Sequence, residues 1–131
     1  MTGVQTCATP DDNSGTLRFV RVEYAGYEIF PGNELNGITF GGVGSGTTVD
    51  YIQVHNNQDD CVEFFGGTVN VTHLVCTGAG DDNLDIEWVY TGKMQYVVCK
   101  QTRGAGDNIV KSHNTKADAA VGYLTTPRSQ P

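Results

Sequence analysis

The sequence is poor in positive charge and has no long apolar run. Its 131 residues include eight Lys and Arg against 15 Asp and Glu, giving a formal net charge of −7. The basic residues are scattered and form no patch that could neutralise a run of phosphates, so we expect no nucleic-acid partner. No apolar stretch approaches the roughly 20 residues of a membrane-spanning helix, so we expect no membrane insertion. Nucleophile elbows, phosphate-binding loops and zinc-ligand spacings are also missing.

What the sequence does contain is a repeat. Four segments begin with a polar or acidic pair and continue with alternating apolar residues: LNGITF, DDCVEF, DDNLDI and DNIVKS. Their anchor residues, Asn36, Asp60, Asp82 and Asp107, are 24, 22 and 25 residues apart. A period of about 20 to 30 residues, built from short strands and Gly, Asn or Asp corners, is typical of a β-solenoid. We therefore predict an all-β domain of four to five stacked coils.

Aligning the copies predicts which side chains point into the solenoid. Side chains alternate between the two faces of a strand, so residues two apart share a face. The predicted inward columns are Val20, Ile52, Leu74 and Val97; Val22, Val54, Cys76 and Cys99; and Ile38, Val62, Leu84 and Ile109. The residues predicted to face outward between them are Thr39, Glu63, Asp85 and Val110.

The first coil is longer than the others. The step from Val20 to Ile52 is 32 residues, whereas the step from Ile52 to Leu74 is 22. About ten residues, close to the segment YEIFPGNEL, must therefore leave the coil. We predict a surface loop with Pro31 and Gly32 as its turn.

Both ends of the sequence are expected to depart from a complete solenoid. Residues 1–8, MTGVQTCA, resemble the translation of a sequencing-adapter read that recurs in unrelated metagenomic reading frames. We expect this segment to be an artefact and assign the domain to residues 9–131. The final TPRSQP adds no strand to close the last coil. We therefore expect truncation at both ends, without the polar caps that such stacks need.

The cysteines leave three alternatives open once Cys7 is set aside with the first segment. Cys61 and Cys76 are 15 residues apart, at corners of neighbouring coils. Cys76 and Cys99 share a predicted inward column, in which Cα atoms of successive strands lie about 4.8 Å apart. Either pair is within reach of a disulfide, which would favour an extracellular or periplasmic location. The third alternative is three buried thiols that act as small apolar residues.

Acidic residues dominate the predicted corners and the adjacent outward face. They are Asp59, Asp60, Asp81, Asp82 and Asp107 at the corners and Glu63, Asp85 and Glu87 beside them. Like charges one coil apart repel by an amount on the order of 1 kcal/mol near water. A Ca²⁺ ion held by Asp60, Asp82 and Asp107 would offset this repulsion. The alternative without a metal is that Asp and Asn side chains accept backbone hydrogen bonds at the corners.

The same acids allow a reaction on polysaccharide. Two carboxyl groups can hydrolyse a glycosidic bond, one as acid and one as base or nucleophile. In this alternative the catalytic residues are Asp59, Asp60 and Asp82. Sugar contacts would come from the aromatic residues Trp88 and Tyr90 and from the neighbouring acids Glu63 and Asp85.

The run NQDDCVEF…GAGDDNLDI…AGDNIVKS resembles, in its order of motifs, the polygalacturonases of the pectin-lyase-like superfamily. The matching residues are Gln58, Asp59, Asp60 and Cys61 in the family's QDDC motif, and Cys76 at its partner cysteine. The resemblance implies a right-handed parallel β-helix and a disulfide between Cys61 and Cys76, with Cys99 left as a buried thiol. Three motifs depart: Asn36-Gly37, Asp82-Asn83 and Val110-Lys111-Ser112 stand where the first catalytic Asp, Gly-His-Gly and Arg-Ile-Lys would be.

A second resemblance covers nearly all of residues 9–131. The phrases DDNSGTLRFVRVEYAG, NELNGITFGGVGSGTTVDYIQVHNNQDD and TPRSQP resemble β-helix segments of large secreted or surface-anchored bacterial proteins. This implies an extracellular or cell-surface location and no assigned reaction. We therefore predict a structural solenoid that self-associates through its ends, into filaments, because exposed coil ends carry unpaired strand backbone. The alternative is a polysaccharide-binding or polysaccharide-degrading module with an acidic site.

Overall fold

The computed structural model describes residues 9–102, 104 and 106–112. Regular structure in this part of the chain consists only of β-strands, as predicted. The strands are β1 (Thr16–Glu23), β2 (Glu28–Phe30), β3 (Asn33–Glu34), β4 (Ile38–Gly41), β5 (Thr48–His55), β6 (Val62–Phe65), β7 (Asn70–Thr77), β8 (Leu84–Glu87), β9 (Met94–Lys100) and β10 (Val110–Ser112). A helix with the length and hydropathy to cross a membrane does not occur in these residues. Segment 1–8 and the final TPRSQP lie outside the described residues.

Two parallel sheets stack the coils. The long-strand sheet has the order β1-β5-β7-β9, and the short-strand sheet has the order β4-β6-β8-β10. Because the chain alternates between the two sheets, each return adds one coil beside the previous one. The predicted β-solenoid is therefore confirmed. The described strands complete about three turns, fewer than the four to five coils expected.

Two of the three predicted inward columns are confirmed by the strand register. Val20, Ile52, Leu74 and Val97 pair in succession across the long-strand sheet, as do Val22, Val54, Cys76 and Cys99. The members in the middle coils are buried, and those in the first and last coils are only partly buried. The core therefore lies between the sheets, and each inner residue of the middle coils is covered by its equivalents in the coils on both sides.

The third column is shifted by one residue in the last coil. Ile38, Val62 and Leu84 pair as predicted, but Leu84 is followed by Val110 and not by Ile109. The outward position beside Asp85 is consequently occupied by Lys111 and not by Val110. The coil from Leu84 to Val110 has 26 residues, which is four more than the coil before it and one more than the predicted step of 25 from Asp82 to Asp107. A one-residue slip moves every side chain of a strand to its other face.

Each long strand bends at one residue that the sequence analysis did not identify. The bend residues, with left-handed φ angles of 54°, 53°, 50° and 59°, are Phe19, Tyr51, His73 and Tyr96. This bend lets Val49 and Ile52, three positions apart, both point into the core. Left-handed backbone costs on the order of 1–3 kcal/mol at a residue other than glycine. The four rings stack at centroid distances of 5.0, 4.3 and 4.8 Å, which offsets part of that cost.

The predicted insertion in the first coil is a small antiparallel hairpin. Strands β2 and β3 pair with each other and join neither of the two large sheets. Pro31 and Gly32 form the turn between them, and Gly32 has a φ of 73°. Proline followed by a residue with positive φ is the arrangement of a type II turn. The insertion therefore projects from the solenoid, as predicted, but has strand structure of its own.

Candidate functional site

The buried acidic corners lie immediately before β6 and β8, at one edge of the short-strand sheet. The Asp82 N–H donates to Asp60 Oδ1 at 2.8 Å, and the Asn108 N–H donates to Asp82 Oδ1 at 2.8 Å. Asp60 and Asp82 are both buried. Each carboxylate thus accepts a backbone hydrogen bond from the next coil, as the alternative without a metal expects.

Asp107 does not belong to this series of hydrogen-bonded corner residues, contrary to the predicted alignment. Asn108 occupies the fourth position, after Asn36, Asp60 and Asp82. The Asp107 N–H donates to the carbonyl oxygen of Asp81 at 3.0 Å, which places Asp107 one residue earlier in its corner. The cause is the same longer coil that shifts the third inward column. The predicted set Asp60, Asp82 and Asp107 therefore does not form one cluster, although Asp82 and Asp107 approach each other beside Asp81.

The outward residues of the short-strand sheet form a charged column that is much less exposed than predicted. Thr39, Glu63, Asp85 and Lys111 are aligned from coil to coil. Asp85 is only 2 % exposed, and Glu63 is partly buried. Lys111 Nζ lies 2.6 Å from Asp85 Oδ2 and 3.2 Å from Asp82 Oδ2. Lys111 thus partly neutralises two buried carboxylates.

Three acids of this region face one another and are called here the acidic cluster. Asp60, Glu63 and Asp85 each place a carboxylate oxygen within 4.8 Å of the others. The Asn36 side-chain amide donates to the Glu63 carboxylate and to Thr39 Oγ1. Asp85 Oδ1 is buried and has no hydrogen-bond partner among the described residues. A buried carboxylate oxygen without a partner is costly, so the cluster has unused capacity for a proton or a cation.

Burial changes the acidity of two members of the cluster. It raises the pKa of Asp60 to about 8, and the nearby Asp59, Asp85 and Asp82 carboxylates add to this effect. Burial likewise raises the pKa of Glu63 to about 7, against the opposing hydrogen bond from Asn36. At neutral pH the cluster therefore retains protons that exposed carboxylates would have lost.

The architecture agrees with a comparison against known families. A model described as a pectate-lyase like beta helix domain matches residues 6–130. The chain belongs to this family. No curated protein and no solved structure matches it. For this β-helix domain, the family membership establishes the fold and leaves the chemistry of the site to be argued from its residues.

The acidic cluster of this β-helix domain has the donor set that suits a hard divalent cation. Ca²⁺ takes carboxylate and amide oxygens in variable geometry, and Asp60, Glu63 and Asp85 converge from two adjacent coils. Asp85 Oδ1 supplies a ligand atom to which no donor in the described part of the chain is hydrogen-bonded. The residues present therefore fit Ca²⁺ better than the predicted set did, because they include Glu63 and Asp85 and omit Asp107.

The predicted sugar-binding aromatics do not form a surface beside the acids. Tyr90 is 5 % exposed, donates its hydroxyl hydrogen to the Val69 carbonyl oxygen at 2.7 Å and packs on Phe64. It is a core residue, so its prediction as a carbohydrate contact is wrong. Trp88 is exposed but packs against Phe65. It follows β8, whereas Asp82 precedes that strand, so Trp88 and the acidic corner lie at opposite ends of β8.

The three described cysteines meet inside the solenoid with free thiols. The disulfide implied between Cys61 and Cys76 is not present in the structure. Cys76 pairs with Cys99 in the register of β7 and β9, and Cys61 packs in the same core as both of them. Of the two predicted cysteine pairs, Cys76 and Cys99 are therefore side by side in the sheet, and Cys61 lies in the same core.

Two polar residues of the site were missed as functional candidates. Lys111 falls one position away from the charged column in the predicted alignment, because that alignment makes Asp107 the anchor of its coil. Asn36 is predicted only as a corner residue. It is the coil equivalent of Asp60, and its side-chain amide donates a hydrogen bond to the Glu63 carboxylate. Counting 26 residues from Asp82 to Asn108 would have revealed the position of Lys111.

Proposed function

We propose that this β-helix domain is a structural module of the cell surface that associates end to end with further copies of itself. The observation that carries the proposal is the pair of open sheet edges. Among the described residues, β1 and β9 each pair with one neighbour in the long-strand sheet, and β4 and β10 do so in the short-strand sheet. Unpaired strand edges favour pairing with another chain.

The two ends are complementary in their side chains as well as in their backbones. At one end the long-strand sheet presents Phe19 and Val20, and at the other it presents their column equivalents Tyr96 and Val97. Phe19 is 73 % and Tyr96 is 62 % exposed. Placing β9 of one copy beside β1 of the next would continue both columns in parallel register. Such a contact is heterologous, so it propagates into a filament and does not close.

Charge placed at the ends tests this proposal. We expect Phe19→Lys and Tyr96→Lys to reduce the sedimentation coefficient at high concentration to that of a monomer, because the introduced ammonium groups would lose hydration at the contact. Tyr27→Lys is the control, since Tyr27 lies just before the hairpin and is 70 % exposed. Equal sedimentation of all three variants and the unsubstituted chain would contradict end-to-end association, provided that their circular dichroism spectra agree.

A second candidate function is binding or cleavage of an acidic polysaccharide on the face of the acidic cluster. Two observations favour it: Lys111 supplies a cation beside Asp82 and Asp85, and the pKa of Asp60 is raised to about 8. A carboxyl group that is protonated at neutral pH can donate a proton to a leaving oxygen, while a neighbouring carboxylate such as Asp59 can act as base.

Release of reducing ends from polygalacturonate tests the second candidate. We expect Asp60→Asn to lower the rate at least 100-fold if Asp60 is the acid, whereas Asp11→Asn, at an exposed position away from the acidic cluster, would retain it. Absence of both cleavage and binding in the unsubstituted protein would exclude this function for polygalacturonate.

We further propose that Ca²⁺ stabilises the module at the acidic cluster. The support is the convergence of Asp60, Glu63 and Asp85 around the unpartnered Asp85 Oδ1. In this role the cation would tie two coils together and would itself carry out no reaction. An extracellular location would supply both the cation and the partner surfaces.

A further inference from the structure

Three sulfur atoms occupy a part of the core that is otherwise aliphatic. Cys76 and Cys99 continue a column whose first two members are Val22 and Val54. Cys61 and Cys76 are completely buried, whereas Cys99 is partly exposed. A lone buried thiol in such a column acts as a small apolar residue. Here Cys76 instead pairs in register with Cys99 and packs in the same core cluster as Cys61.

We propose that Cys61, Cys76 and Cys99 form a redox site in which Cys76 bonds to either of its two neighbours and the remaining thiol exchanges the bond. The register supports the first pair, because neighbouring Cα atoms in a parallel sheet are about 4.8 Å apart and disulfides span about 4.4–6.8 Å. The burial of Cys61 in the core cluster that contains Cys76 supports the second pair. This inference goes beyond the structural and polysaccharide roles proposed above.

The exposed member of the site is the one suited to react first. The hydrogen bond from Cys76 lowers the pKa of the Cys99 thiol, which favours its thiolate. Hydrogen bonds with Cys61 and Cys99, together with burial, raise the pKa of the Cys76 thiol. Thiolates and not thiols attack disulfides, so an external oxidant should meet Cys99 before Cys76.

A small disulfide can oxidise two of the three thiols in two steps. The Cys99 thiolate attacks one sulfur of the small disulfide, forms a mixed disulfide and releases one small thiolate. Cys76 attacks the Cys99 sulfur and passes its proton to the departing small thiolate, which forms the Cys76–Cys99 bond and releases the second small molecule as a thiol. Two protein thiols are thereby oxidised by two electrons, and one small disulfide is reduced to two thiols. Cys61 then displaces Cys99 from Cys76 and passes its proton to the departing Cys99 sulfur, which forms Cys61–Cys76 and frees Cys99 as a thiol.

Disulfide mapping in glutathione buffers tests the site on the full chain. All samples carry Cys7→Ser, and cleavage at Glu63 and Asp81 separates the three remaining cysteines. We expect one disulfide per chain, always including Cys76, and we expect Cys61→Ser to give only Cys76–Cys99. Cys99→Ser should still form Cys61–Cys76, but at least tenfold more slowly, because its two thiols are buried.

Several outcomes would overturn the proposal. These are a Cys61–Cys99 bond, an intramolecular bond in Cys76→Ser, equal oxidation rates with and without Cys99, or no oxidation at any ratio of oxidised to reduced glutathione. Circular dichroism of Cys76→Ser and Cys76→Val shows whether a variant that lacks the disulfide is still folded. Cys76→Val is the control, because Val54 occupies the same column in the neighbouring coil.

Discussion

Removal of the Leu74 side chain tests the stacked core most sharply. Leu74 is buried between Ile52 and Val97 of the adjacent coils. Leu74→Ala removes three carbon atoms, and at about 0.8 kcal/mol for each buried methylene the lost transfer free energy is about 2.4 kcal/mol. The cavity adds to this, so we expect a total loss of about 3–4 kcal/mol in the free energy of unfolding.

Urea unfolding followed by circular dichroism measures this loss. The matched control is Val98→Ala, since Val98 is next to Val97 in β9 but is 58 % exposed. We expect the control to change the free energy of unfolding by less than about 0.5 kcal/mol. A loss below about 1 kcal/mol for Leu74→Ala, or equal losses for the two variants, would refute the assignment of an inward column that each coil shares with the next.

Three further predictions concern the coil contacts and the acidic cluster. Gly80→Ala should lower the melting temperature, because a Cβ at Gly80 would overlap the Gln58 carbonyl oxygen, whereas Gly41→Ala should not, because a Cβ there meets none of the described residues within 4 Å; equal melting temperatures for the two variants would refute the close approach of Gly80 to Gln58. The pKa of Asp60 is raised to about 8 in the folded state, so its contribution to stability is present in full below the unfolded pKa and is lost as pH rises to about 8. Calcium-free urea unfolding between pH 4 and pH 9 should show this fall and a weaker one in Asp60→Asn; identical slopes would contradict it. Chelation should lower the melting temperature of the unsubstituted chain and of the control Asp11→Asn, and added Ca²⁺ should restore it. Asp85→Asn should show neither change. If the melting temperature of the unsubstituted chain does not shift at millimolar Ca²⁺, the cation site is excluded.

The inward columns of the long strands could be predicted because they depend only on alternation and period. The spacing of the repeated apolar residues predicts which residues pair between neighbouring strands. The structure pairs them in that register: Val20, Ile52, Leu74 and Val97. The acidic corners before β6 and β8 were predicted for the same reason. The predicted register is wrong in the last coil, because that coil differs in length from the others. Asp107 and Ile109 are both misplaced by one position, because a shift of one residue moves a whole strand.

The burial of individual side chains could not be obtained from alternation. Asp85 lies on the outward face, yet Lys111 and neighbouring acids cover it, and this depends on contacts between coils. Tyr90 was predicted as a surface residue because it follows acidic residues, but its chain segment turns back onto Phe64. The aromatic column through Tyr51 and His73 depends on left-handed φ angles. Such angles cannot be predicted from the residue type when the residue is not glycine.

The concentration dependence of the mass in solution tests the proposed end-to-end association most directly. We expect static light scattering to give a weight-average mass that rises continuously with concentration, because a heterologous contact between the β1 and β9 ends has no closed state. Electron microscopy of the same samples should show unbranched filaments. A mass that remains that of one chain at the highest concentration, or that stops at a fixed dimer, would contradict the proposal.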